Sequence, residues 1–149
     1  MERVEVHIPS NPIFERVVRA SAAEVGQALG FSQERIEDLK LALSEAVTNA
    51  IEHGNQRDTG KLVAVIFELD SEKLEIRISD QGAGVGELDF SRHVVEEQNL
   101  EGGMLRGFGM YLISSLVDDY EVHSSTSGTV LKLRLYLNEP PPNETQQPD

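Results

Sequence analysis

The stretch from Ser32 to about His53 limits the fold more than any other part of this chain. Ile36, Leu39, Leu43, Ala46, Val47 and Ala50 recur at helical spacing and form a single apolar stripe. Ser32 stands where an N-cap belongs, and Gly54-Asn55 ends the run. A helix with one apolar side gains most of its stability from packing that side against something else. The partner surface is legible in runs of alternating residues. Val4, Val6 and Ile8 alternate with polar residues between Arg3 and Ile8, until Pro9-Ser10-Asn11-Pro12 breaks the strand. Leu62 to Leu69 and Leu74 to Ser79 read as two further strands, joined into an antiparallel hairpin by Asp70-Ser71-Glu72-Lys73.

Phe14, Val17, Val18, Ala22, Val25 and Leu29 predict another amphipathic helix from Ile13 to Leu29, with Gly30 as its C-terminal cap. After Asp80 the chain turns to glycine and acid, and the segment from about Glu87 to Arg106 reads as a mobile loop. A short helix from about Phe108 to Leu116 and strands near Tyr120 to His123 and Thr129 to Leu137 complete the pattern. Helices segregated against a mostly antiparallel sheet define an α+β two-layer sandwich, with the helices on one face. The strand order does not follow from the pattern. One domain over residues 1–137 is expected, and 138–149, with Pro140-Pro141-Pro142 and no apolar anchor, reads as a disordered tail.

Charge and composition remove several function classes. Thirteen Lys and Arg against 26 Asp and Glu leave a net charge of -13, which opposes general attraction to nucleic acid or anionic membranes. The chain has no cysteine, and its four histidines lack metal-ligand spacing. No apolar run approaches the roughly 20 residues that cross a bilayer, and the start MERVEVHIPS lacks leader features, so a cytoplasmic location is expected.

Four places carry possible chemistry. Glu45 and Asn49 lie about 40° apart around their helix, away from the apolar stripe. By spacing alone such a pair is more often a solvated surface. If it faces a cleft, its amide oxygen and carboxylate suit a hydrated Mg²⁺ and a proton acceptor. Asp80 ends the Leu74, Ile76, Ile78 strand and precedes Gln81-Gly82-Ala83-Gly84-Val85-Gly86. It could accept a hydrogen bond from an exocyclic amine, with glycines letting a ligand close to the backbone, or it could be a plain turn. Glu87 stands where a dinucleotide fingerprint needs glycine, and no GxxxxGK[ST] loop occurs. Gly102-Gly103-Met104-Leu105-Arg106-Gly107-Phe108-Gly109 opens a helix, so free N–H groups beside Arg106 could hold an anion; a flexible linker would read the same. Ser127-Gly128-Thr129 alone would signify only a hairpin.

In order and spacing these pieces resemble the ATP-binding boxes of the gyrase, histidine kinase and MutL superfamily over about residues 39–135. They are Glu45-Ala46-Val47-Thr48-Asn49-Ala50, Asp80-Gln81-Gly82-Ala83-Gly84, Gly107-Phe108-Gly109 and Gly128-Thr129. Within it, SEAVTNAIEHG and Asn11-Pro12-Ile13-Phe14-Glu15-Arg16-Val17 resemble the bacterial anti-sigma factor serine kinases. The resemblance implies ATP and Mg²⁺ as cofactors. Asn49 would hold the metal, Asp80 the adenine amine, and Gly82 and Thr129 the base pocket. Gly84 would hinge a lid from about Glu87 to Arg106, Gly107 and Gly109 would give N–H groups to phosphate, and Glu45 would be the catalytic base toward a serine on another protein.

The same resemblance implies a homodimer that sequesters a sigma factor and phosphorylates the antagonist that would displace it, without direct contact to nucleic acid or membrane. Arg16 is the expected partner contact. The lid sequence EEQNLEGGMLR departs from any member that could be aligned with it. The alternative is an ATP-binding switch in a partner-switching pathway that does not bind sigma. Acidity this strong would draw the chain toward a basic, DNA-facing surface of a sigma factor.

Overall fold

Asp70 closes the turn at the centre of the sheet: its Oδ1 accepts the N–H groups of Glu72 (2.7 Å) and Lys73 (2.9 Å). The computed structural model that shows this describes residues 1–82 and 101–137, with side chains in the second segment from residue 109 onward. The strands on either side of the turn, β2 (Leu62–Leu69) and β3 (Lys73–Ser79), pair antiparallel with Phe67 opposite Ile76 and Val65 opposite Ile78. On the outer side of β2 lies β1 (Glu2–Pro9), which pairs Val6 with Val65. Beyond β3 comes β5 (Gly128–Tyr136), the last of the described strands in sequence, and outside it β4 (Asp119–Ser125). The sheet order is therefore β1-β2-β3-β5-β4, with all four pairings antiparallel.

Asn11 caps a 3₁₀ turn at Pro12–Phe14, which leads into α1 (Glu15–Ala28). Gly30, at φ +80°, takes the left-handed conformation that ends it, as predicted. Ser32 Oγ accepts the Arg35 N–H at 3.1 Å and starts α2 (Gln33–Asn49), which is followed by one π-type turn over Ala50–Gly54. Among the described residues one more helix, α3, spans Glu101–Leu116.

The helices lie on one side of the sheet. Val63, Val65, Phe67, Leu74, Ile76, Ile78, Leu131, Leu133 and Leu135 point inward to Val18 and Ala22 of α1, Leu39, Leu43 and Val47 of α2, and Ile113 of α3, in one cluster. Each fully buried Leu, Ile or Val gains about 1.5–3 kcal/mol relative to exposure. The opposite face is charged. Arg77 pairs with Glu68 at 2.7 Å, and Arg134 reaches Glu75 (2.9 Å), Asp119 (3.0 Å) and Glu121. These partly exposed pairs add little stability. They do keep the outer face polar, and so fix which face of each strand turns inward.

One expected element differs. The helix predicted to start near Phe108 starts at Glu101, so part of the expected loop is helical. Gly102, Gly103, Gly107 and Gly109 argue against a helix, at up to about 1 kcal/mol each. Packing against α2 outweighs that preference, and a glycine lets the two helices approach closely. Residues 83–100 of the expected loop, with Gly84, and the tail 138–149 lie outside the described residues.

Candidate active site

The π-type turn after α2 decides where the site forms. Asn55 N–H donates to Ala50 C=O (2.8 Å) and Arg57 N–H to Ile51 C=O (2.8 Å), widening the helix end and carrying Gly54 against the C-terminal end of β3. Single π turns inside or at the ends of α-helices occur often at functional sites. Here the turn brings two sequence-distant segments into contact. A Cβ on Gly54 would overlap the Asp80 carboxylate, and one on Gly82 would overlap the Gly54 carbonyl.

Asp80 is held from several directions. Its N–H donates to Thr129 C=O at 3.0 Å, while its Oδ1 accepts the N–H groups of Gly82 (3.0 Å) and Thr129 (3.3 Å). Among the described residues, Oδ2 takes no hydrogen bond and stays available as an acceptor. Gly128, at φ +138°, lets the β5 backbone pass over the Asp80 carbonyl where a side chain would collide.

Asn49, Asp80 and Thr129 line one cavity with Ala46, Ala50, Ile78, Met110, Val122 and Leu131. The space in it open to the centre of a water-sized sphere is about 40 Å³, enough for water. Met110 of α3 is buried in its wall. Glu45 and Asn49 are half-buried, and Asn49 lines the cavity. Both flank one point: a Cβ on Gly109 would lie 3.1 Å from Glu45 Oε1 and 3.3 Å from Asn49 Nδ2.

Other expected residues are placed differently. Gly107 and Gly109 lie within α3, so their N–H groups are helix-interior donors rather than free ones at a helix start. The backbone of Arg106 is in the same helix, and its side chain is outside the described atoms. Arg16 is exposed on α1 among the exposed Ile13, Phe14 and Val17, and does not line the cavity. Sequence reasoning took Gly54 only as a helix end. Its signal was the small residue one π-type turn beyond Asn49, which becomes meaningful only with Asp80 in contact.

The donor set fits a metal that arrives with its ligand. Among the described residues no group of three or more His, Cys, Asp or Glu could hold an ion. Mg²⁺ in phosphate-transfer sites commonly keeps waters and phosphate oxygens and takes only one or two protein ligands. The Asn49 amide can serve as one. At the other end Asp80 Oδ2 could accept from an amine-bearing ring, beside the apolar Ala50, Ile78 and Leu131. No helix among the described residues is long and apolar enough to cross a membrane.

Comparison with known proteins agrees with this geometry. The family model described as histidine kinase-like ATPase domain matches residues 8–135. The serine-protein kinase RsbW of Bacillus cereus (strain Q1) is 33% identical over 152 aligned positions, covering 96% of this chain and 91% of that protein. RsbW of Bacillus anthracis (strain CDC 684 / NRRL 3495) matches with the same identity and coverage. Among solved structures, the RsbU and RsbW domains of Rv1364c from Mycobacterium tuberculosis superpose with a TM-score of 0.67 at 21% identity. That match covers 94% of this chain and 34% of the larger one. The histidine kinase domain of Erythrobacter litoralis EL346 gives a TM-score of 0.53 at 17% identity, covering 91% of this chain and 68% of that one. The chain belongs to the histidine kinase-like ATPase family and, within it, to the serine-protein kinases of the RsbW type.

Proposed function

We propose that this chain is an anti-sigma factor serine kinase, which works as a homodimer, binds a sigma factor, and phosphorylates a serine on that factor's antagonist. The observation that carries the proposal is the placing of Glu45 and Asn49 around one point beside Gly109, next to the cavity that Asp80 lines. Kinship to RsbW supports the same reading. ATP, bound with Mg²⁺, supplies the transferable γ-phosphoryl group. Asp80 accepts the adenine amine through Oδ2, Gly82 and Thr129 border the base, and Asn49 gives its amide oxygen to the metal. Glu45 takes the proton from the substrate serine hydroxyl. A placed base contributes about 10²- to 10⁴-fold, with the rest coming from positioning and charge neutralisation.

For Gly107 and Gly109 to donate N–H groups to phosphate, the first turns of α3 must open, because interior helical N–H groups already bond backward along the helix. The same opening would withdraw Met110 from the cavity. Gly84 as lid hinge and Arg16 as a partner contact belong to this proposal through the family resemblance, and Arg106 as a phosphate contact through its place beside Gly107. The test is phosphorylation of the purified antagonist by wild type and Glu45→Gln. Glu45→Gln should bind ATP within about twofold of wild type and transfer phosphate at least about 10²-fold more slowly. Full-rate transfer by Glu45→Gln would sink the assignment.

A further inference from the structure

We infer that Asn55 is a positioning residue for base recognition, acting through Gln81 on Asp80. The inference rests on the assignment of Asp80 to the nucleotide base. Asn55 is 1% exposed, and its planar amide is fully used. Nδ2 donates to Ser10 Oγ (2.8 Å) and Leu62 C=O (3.1 Å), and Oδ1 accepts the Gln81 N–H at 2.7 Å. Ser10, itself buried, passes its own hydroxyl proton to Lys61 C=O at 2.7 Å.

The need for this arrangement comes from the sheet. Backbone pairing between β2 and β3 ends at Ala64 opposite Ser79, so Asp80-Gln81-Gly82 runs on without backbone pairing to the Leu62–Val63 end of β2. Side chains take over there. Gln81 Oε1 accepts the Leu62 N–H at 2.7 Å, and Asn55 holds the Gln81 N–H. On the other side Thr129 holds Asp80. Asp80 is thus fixed between β5 and Asn55, with Gly54, the residue before Asn55, packed on its carboxylate. If the Gln81 N–H is released, the backbone beyond Asp80 loses its hydrogen bond on the β2 side, where only the Gln81 side chain still holds Leu62. The function needs two donors and one acceptor on one short side chain, which asparagine supplies and aspartate, serine and alanine do not.

The experiment compares wild type, Asn55→Ala, Ser10→Ala and Asp80→Asn, measuring melting temperature, affinity for Mg-ATP and Mg-GTP, and KM for ATP against kcat. Ser10→Ala cuts one donor contact of Asn55 but leaves its bond to Gln81. Both Asn55→Ala and Ser10→Ala should melt earlier. Asn55→Ala alone should weaken ATP about tenfold, erode the preference for ATP over GTP, and raise KM with kcat within about threefold. ATP preference intact in Asn55→Ala, or lost equally in Ser10→Ala, would overturn the inference. A wild type without ATP preference would sink the assignment of Asp80, and this inference with it. Dependence on Asp80 but not on Asn55 would sink the inference alone. Should Asn55→Ala not fold, amide exchange in wild type serves: ATP should slow exchange at Gln81 and leave the β2–β3 turn at Glu72 unchanged, and no effect at Gln81 would overturn it.

Discussion

The carboxylate of Asp80 rests on the Cα of Gly54, in the space a methyl group would need. Gly54→Ala should therefore displace the base-binding carboxylate while leaving the sheet intact. ATP affinity should fall at least about tenfold, or about 1.4 kcal/mol, with an unchanged circular dichroism spectrum. Calorimetric titration checks it.

Gly109→Ala should separate stability from activity. Alanine suits a helix interior better than glycine by up to about 1 kcal/mol. The added methyl would meet only side-chain atoms, Glu45 Oε1 at 3.1 Å and Asn49 Nδ2 at 3.3 Å, which can give by a few tenths of an ångström. The variant should melt a few degrees higher than wild type. Its phosphotransfer should fall several-fold, because the groups that give way are those at the reacting end of the site. Thermal melts and antagonist phosphorylation measured on one preparation test both halves.

Removal of the metal should matter through Asn49. Mg-ATP should bind wild type more tightly than ATP with chelator, and Asn49→Ala should lose most of that difference. A metal dependence kept in full by Asn49→Ala would move the ligand elsewhere.

Acid should loosen the charged face of the sheet. Hydrogen bonds from Arg134 first and His123 second hold Glu121 at a pKa of about 2, against an ordinary 4.5. The unfolded chain takes up this proton first as pH falls. The stabilisation is therefore whole above about pH 4.5 and is lost progressively down to about 2. Glu121→Gln should show a shallower loss of stability across that window, measured by urea unfolding at stepped pH.

The parts of the fold legible in the sequence were those set by neighbours along the chain. Alternation in Leu62–Leu69 and Leu74–Ser79, with Asp70 to Lys73 as the turn, pointed to the hairpin, and Ser32 and the Ile36–Ala50 stripe to α2. Where β5 lies could not be read, because its pairing with β3 joins residues far apart and leaves no local pattern. The start of α3 was misplaced because four glycines outweigh helical periodicity until α2 is there to pack against. Asn49, Asp80 and Thr129 were named from motif spacing, and the fold gathers them around one cavity. Asn55 read only as the end of a helix, since its partners Ser10, Leu62 and Gln81 come from three separate segments.

The strand order carries a consequence for biosynthesis. Among the described strands β5 is the last made, yet it lies inside the sheet and brings Thr129 to Asp80. A nascent chain still missing residues 128–136 can form the hairpin and α2 but has no wall opposite them, since the non-local pairing comes last. Capture of nucleotide on the ribosome would then mark the emergence of residues 128–136, and truncations that stop before Gly128 should be unable to bind it.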